Sequence, residues 1–313
     1  KMVSGIKEKV KSITIKDVLK KSSSIAVTLV IVIGMLFTGT VNTIVKKYQN
    51  IQIVKGISTQ PPQAYEHPFT QSLCMAIGEM LCIFLFGGHL AYNWIGRKFD
   101  PTSSKKGDNK KKKKPNPLIF AIPALLDMSN STMANFAFIY SDASIAQMLR
   151  GSVVVLNWLA GMIFLKHRFW PHKMLGVLLI VIGLVIVGIA NVIGERTSYA
   201  RDPVLGNILV IISQFFGVAQ YIVEEKTVKA YDQHPSWIIA MEGYWLFSAV
   251  SVILFILYFI PGNDSGSLEN FPFAFSQMIA SPLLLTLVIG SIVSICFFNF
   301  FGMNITKRIS STS

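Results

Sequence analysis

Apolar stretches of about 18 or more residues recur along the whole chain, each long enough to cross a hydrocarbon core of ~30 Å at 1.5 Å per helical residue. No other feature limits the fold as strongly. Backbone amides in lipid must be satisfied within the spanning structure, which leaves helices or closed barrels. A barrel would need ~10-residue segments of alternating polarity, and none dominates. Hydrophobic residues make up 52% of the 313 positions and charged residues 14%, which excludes an ordinary soluble domain. The chain reads as an all-α polytopic membrane protein.

Eight spans are predicted, over 24–45, 69–92, 117–139, 143–165, 173–193, 204–225, 237–259 and 282–303. Pro68, Pro117, Pro203, Pro235 and Pro282 stand at or near first-turn positions, where a missing N–H costs little. Lys and Arg distribute unevenly between the two sides of these spans. One side takes 23, from the N-terminal segment, the 94–116 connection and three later segments, and the other takes five: Lys46, Lys47, Lys55, Arg196 and Arg201. Arg150 falls inside a span. The bias places the N-terminus in the cytosol. The net charge of +13 is therefore a topology signal and not a nucleic-acid footprint.

An internal repeat is visible. His67-Pro68 opens span 2, with Glu79 inside it, and His234-Pro235 opens span 7, with Glu242 inside it, an offset of 167. Spans 3 and 8 start 165 apart. The two His-Pro steps fall on opposite sides by the charge count. A five-helix unit, having an odd number of spans, must invert its copy, as in many secondary transporters. The repeat predicts a 5+5 inverted-repeat transporter fold, of which this chain is expected to supply eight transmembrane helices, the last two being absent. It divides the chain into a basic cytosolic segment 1–23, a first repeat 24–193 with the Lys-rich loop 94–116, and a second repeat 204–313 holding helices 6–8 only.

Polar residues within spans are costly in lipid and so are expected to face a bundle interior. Span 3 carries Asp127, Asn130, Ser131, Ala134 and Asn135 on one face, and span 4 carries Gln147, Arg150, Asn157 and Gly161. Span 6 carries Ser213, Gly217, Gln220 and Glu224, span 8 carries Ser291, Ser294 and Asn299, and span 1 ends with Thr38, Gly39, Thr40 and Asn42. Asn42, Asp127, Asn130, Gln147, Arg150, Gln220 and Asn299 are the candidate solute-cavity residues. Most such groups elsewhere serve as interhelical hydrogen bonds. Asp127 and Arg150 are the sharper cases, since an unpaired guanidinium in lipid is expensive, and Arg150 is expected within reach of Asp127 or Asn130. An Arg–Asp pair that only neutralises itself is the structural alternative. Glu79, near mid-span, and Glu242, close enough to its helix end to reach water, are candidates for proton coupling, because a desolvated carboxyl tends to hold its proton.

Enzyme signatures are missing: there is no HExxH, GxSxG or Walker A sequence, so no catalytic residue, metal or cofactor is expected. Cys74, Cys82 and Cys296 read as small core residues. Gly176, Gly183 and Ala190, spaced by seven, predict close helix packing. The run Lys110, Lys111, Lys112, Lys113 and Lys114 is either a solvated loop or a contact for anionic lipid. Whether the chain forms a homodimer stays open.

An ordered set of short motifs carries a family resemblance: Gly34-Met35-Leu36-Phe37-Thr38-Gly39, His67-Pro68-Phe69, Pro123-Ala124-Leu125 with Asp127-Met128, Gln147-Met148-Leu149-Arg150-Gly151, Glu224-Glu225-Lys226, Glu242-Gly243 and Phe297-Phe298-Asn299-Phe300. The chain resembles the drug/metabolite transporter superfamily of EamA, nucleotide-sugar-transporter-like proteins, and within it the F branch of the solute carrier 35 family. The chloroquine-resistance transporters are similar at greater distance. The resemblance implies ten helices in inverted halves, a central cavity with alternating access, and residence in a lysosome-like or Golgi-like endomembrane. The expected function is secondary-active transport of a small organic solute, with proton coupling as one mode. A non-transporting membrane adaptor on the same scaffold is the alternative.

Overall fold

In a computed structural model, residues 15–56, 61–99, 116–165, 171–193, 202–231, 234–262, 264 and 266–310 are described. The helices are α1 (Ile15–Ile51), α2 (Pro68–Met80), α3 (Cys82–Phe99), α4 (Ala121–Tyr140), α5 (Ala143–Leu149), α6 (Ser152–Leu165), α7 (Pro171–Ile193), α8 (Pro203–Tyr231), α9 (Pro235–Phe259), α10 (Phe271–Ala280) and α11 (Pro282–Ser310). A short hairpin, β1 (Ile53–Val54) with β2 (Gln63–Ala64), follows α1, pairing antiparallel with Ile53 opposite Ala64. The protein is all-α and polytopic. Among the described residues five stretches are long and apolar enough to cross a membrane: Ile25–Ile51, Pro68–Ala91, Val204–Thr227, Pro235–Phe259 and Pro282–Thr306. Exposed Val30, Ile33, Phe37, Leu179, Phe255 and Phe259 give the bundle an apolar exterior suited to lipid.

Proline opens α2, α7, α8, α9 and α11, where its missing N–H is one that a helix start leaves unpaired anyway. The side chains of Asp202, His234 and Asn270 accept the next free amides, from Val204 and Leu205, from Ser236 and from Phe273. The longest contacts run between α4 and α8 and between α1 and α11, while α2 crosses α9. Glycines let α2 approach its neighbours closely. A Cβ at Gly243 would lie 2.7 Å from Glu79 Cβ and 2.8 Å from the Met80 nitrogen, and one at Gly78 would meet the Ile292 carbonyl at 2.6 Å. The obstacle at Gly243 is partly backbone, which cannot swing aside. Gly243→Ala is accordingly expected to cost about 1–3 kcal/mol by overpacking, read as a fall in the detergent melting temperature. An unchanged melt would mean that α2 and α9 can separate without penalty.

Two sequence expectations need correction. The first span does not end at 45: α1 continues to Ile51 and buries Lys46 and Lys47. Neither is a cation of a solvated connection, as the charge count has them. The helix extends because their polar ends find protein partners rather than water, as do Gln49, which donates to Leu287 O at 3.0 Å, and Asn50, which accepts from Gln71 at 2.6 Å. Lys55, Arg196 and Arg201 remain on that side of the count, the last two outside the described residues. Secondly, Gly176 and Gly183 have nothing within 4 Å of an added Cβ, so the small-residue stripe of α7 does not pack within the described chain. The 260–281 connection contains α10, whose Phe273, Ala274, Gln277 and Met278 are buried. The Lys110, Lys111, Lys112, Lys113 and Lys114 run lies outside the described residues, as do residues 1–14.

Cys82 and Cys296 are free thiols with their sulfurs 3.5 Å apart, joining α3 to α11 inside an apolar cluster with Phe120, Ile238 and Met303. Cys74 belongs to a second apolar cluster with Tyr65, Met278 and Leu284, at the opposite end of the bundle.

Candidate functional site

Four carboxyls from four helices converge in the interior. Glu79 of α2, Asp127 of α4, Glu224 of α8 and Glu242 of α9 are 4, 6, 7 and 6% exposed. Each sits on the buried face of its helix, and the glycine contact at Gly243 draws α2 and α9 together. The carboxyls of Glu79 and Asp127 are immediate neighbours, close enough to share a hydrogen bond. Two carboxyls can share a hydrogen bond only when one of them carries a proton. Asn299 of α11 donates its Nδ2 to Glu79 Oε1 at 2.7 Å. Gln220 of α8 donates to Glu224 Oε1 at 2.6 Å and lies near Asp127. Glu242 lies within electrostatic reach of Glu79, Asp127 and Glu224, yet its Oε1 is buried without a hydrogen-bond partner among the described residues. An unsatisfied buried carboxyl oxygen is a costly arrangement in an interior and asks for a donor.

One cation faces this cluster from α1. Lys46 Nζ donates to Asn135 Oδ1 at 2.8 Å and lies within electrostatic range of Asp127, Glu79 and Arg150. Asn135 is held in turn by donating its Nδ2 to Pro68 O and to Ser72 Oγ, both at 3.1 Å, and Ser72 meets Thr132 at 3.0 Å. The Lys46 head is thus set by a rigid network that ties α1, α2 and α4 together. Lys47 has a different task. Its amine donates to Phe138 O at 2.9 Å and Ser141 O at 3.0 Å, the carbonyls left open at the end of α4. A cation there also meets the negative end of the helix dipole.

The remaining candidates lie on α1, α4 and α5 or at the break that follows α5. Asn42 accepts from Ser294 Oγ at 3.4 Å, bridging α1 and α11. Gln147 of α5 accepts from Thr43 Oγ1 at 3.1 Å. Asn130 packs on α8, where an added Cβ at Gly217 would lie 3.2 Å from its Nδ2. Arg150 occupies the break between α5 and α6, its guanidinium 5.0 Å from the Phe138 ring centre, with Tyr221 and Lys46 as electrostatic neighbours. Among the described residues no ion pair joins Arg150 to Asp127. The acid partners with Glu79 instead, and the arginine rests on an aromatic face.

The structure therefore gathers Glu79, Asp127, Gln220, Glu242 and Asn299 at one centre, and places Asn42, Asn130, Gln147 and Arg150 on α1, α4, α5 and the break that follows α5. Glu242 is buried, in contrast to the water access expected from its place near a helix end. Its α9 begins at Pro235, two turns away, and α2 covers it at Gly243. Lys46 and Glu224 are not among the sequence candidates. Glu224 is visible on the polar face of its span. Lys46 continues the face of Asn42 one helical turn on, a signal that is lost once the span is ended at 45. Among the described residues no group of three or more His, Cys, Asp or Glu side chains is arranged to hold a metal ion.

The sequence matches a family model described as CRT-like, chloroquine-resistance transporter-like, over residues 28–269. It is 33% identical to Solute carrier family 35 member F6 of Mus musculus over 287 residues, covering 89% of this chain and 75% of that protein. The Homo sapiens protein of the same name is also 33% identical, over 286 residues with the same coverage. An uncharacterised Schizosaccharomyces pombe protein is 29% identical over 282 residues, covering 89% of this chain and 82% of its own length.

Proposed function

The chain belongs to the chloroquine-resistance-transporter-like family of membrane transporters of small solutes, and from that premise we propose that it moves an organic solute across an endomembrane by alternating access, coupled to protons. The observation that carries this reading is the buried centre of four carboxyls with one unsatisfied oxygen, on Glu242. Donors on a solute would complete that oxygen. Four acids facing Lys46 and the outlying Arg150 favour a cationic or zwitterionic solute over an anionic one. The carboxyl–carboxyl contact between Glu79 and Asp127 holds a proton that solute binding can displace, which is the elementary step of coupling. Asn299 and Gln220 orient the acids, while Asn42, Asn130 and Gln147 join α1, α8 and α5 to the same polar centre. Arg150 is the candidate contact for an anionic group of a zwitterion.

Packing supports an inverted repeat. Matching the helices in chain order relates α1 to α8, α2 to α9 and α4 to α11, so the α1–α11 and α4–α8 contacts exchange with each other, and the α2–α9 contact maps onto itself. With Lys46 and Lys47 removed from the solvated side, the cation bias favours a cytosolic N-terminus more strongly.

Uptake into liposomes carrying the purified chain tests the proposal. The probes are radiolabelled tetraethylammonium, a neutral amino acid and glucose, each with and without an imposed pH gradient. The cation or the zwitterion should accumulate several-fold above protein-free liposomes only when the gradient is present. Uptake of none of the three, or uptake indifferent to the gradient, would count against proton-coupled transport and turn attention to an adaptor role.

A further inference from the structure

The end of the bundle that carries the 260–281 connection is held together through one imidazole. His67 caps the start of α2 and is 2% exposed. Its Nδ1 lies 3.1 Å from Asp264 Oδ2, and its Nε2 lies 3.0 Å from Gln277 Oε1. The amide nitrogen of Gln277 is already committed, donating to Val54 O and Gln63 O, both at 3.1 Å. The oxygen of Gln277 therefore faces the ring. An imidazole whose Nε2 must donate to an amide oxygen, and whose Nδ1 lies at ion-pair distance from a carboxylate, is matched best by the imidazolium, with hydrogen on both nitrogens. The same connection grips α2 a second time, through Glu269, which accepts from Phe69 N at 3.0 Å, Thr70 N at 2.7 Å and Thr70 Oγ1 at 2.8 Å. Asp264 Oδ2 also accepts from Asn270 N at 2.7 Å, which holds the carboxylate in place.

We propose that His67 is a proton-binding site that latches the β1–β2 hairpin, the 260–270 turn and α10 onto the start of α2, closing this end of the bundle when protonated and loosening it when neutral. This site is separate from the four-carboxyl centre and does not depend on the solute reading. Three elements enclose the ring. The turn supplies Asp264 and Glu269, the chain after β2 supplies Tyr65 at 5.1 Å between ring centres, and α10 supplies Gln277 and Phe273, the latter at 6.1 Å. Burial opposes the charge on His67, but Asp264, Gln277 and Glu269 together outweigh it and hold the imidazole above its ordinary value. A raised histidine contributes stability that is fully present below the unfolded value of ~6.5 and is lost as pH rises through the higher folded one. Glu269 is also raised, by burial against the pull of its three donors, so it binds its proton in the same sense. Substitution at His67 separates the two.

Hydrogen exchange of the whole chain in lipid nanodiscs, corrected for the chemical exchange rate at each pH, reads the latch directly. Between pH 5.5 and 8.5, corrected exchange of peptides covering 63–70 and 266–280 should rise at least tenfold, while the central turns of α4 and α8 stay unchanged. In His67→Gln the step should vanish, leaving those peptides fast at every pH. In Asp264→Asn, which retains the histidine but removes its carboxylate, the step should move to lower pH. Persistence of the same step in His67→Gln overturns the proposal, and so does a flat profile in the unaltered chain. Should His67→Gln fail to fold, an unmoved step in Asp264→Asn overturns it equally.

Discussion

Lys46→Met should destabilise the chain by about 3 kcal/mol in detergent, the range found when one member of a buried charged arrangement is removed. Methionine matches the stem of lysine and leaves the packing of α1 largely intact, so the loss reports the ammonium. Two costs combine. Asn135 Oδ1 loses its 2.8 Å donor in a buried position, and the carboxyls of Glu79 and Asp127 lose the cation nearest to them. A double-mutant cycle separates the two. If Lys46 neutralises the acids, Lys46→Met combined with Asp127→Asn should recover at least about 1 kcal/mol relative to the sum of the single changes. Strict additivity would mean that the lysine serves only Asn135, and a melt equal to that of the unaltered chain would remove both roles.

Glu79→Gln should cut pH-driven uptake at least tenfold while leaving the fold and solute exchange at equal pH close to normal. Glutamine is isosteric with glutamate. Its oxygen still accepts from Asn299, and its amide donates to Asp127, so the contacts that hold α2, α4 and α11 together survive. The titratable proton between the two carboxyls is what disappears. Loss of gradient-driven accumulation with preserved exchange is the signature of a coupling residue. Equal loss of both would make Glu79 a binding or structural group, and unchanged accumulation would place the coupled proton elsewhere, with Glu242 the next group to substitute.

The all-α membrane architecture is legible without coordinates. Long apolar segments in lipid admit few folds, and the five stretches among the described residues that are long and apolar enough to span fall in the first, second, sixth, seventh and eighth predicted segments. The candidate acids are legible for the same reason: Glu79, Asp127 and Glu242 are expensive in lipid and so have to face inward. Partnership is not legible. Sequence alone puts Arg150 within reach of Asp127 or Asn130, yet Asp127 neighbours Glu79, because the packing of α2 on α4 is a matter of crossing geometry and not of residue type. The end of α1 escapes the sequence on similar grounds. Lys46, Lys47, Gln49 and Asn50 look like a solvated turn in one dimension. They form a buried helical face because Asn135, the carbonyls of Phe138 and Ser141, Leu287 O and Gln71 stand opposite, from 21 to 238 residues away. Hydrophobicity is a local property and sets which segments leave water. Whether a polar group can leave with them depends on a partner that the fold alone brings within hydrogen-bonding distance.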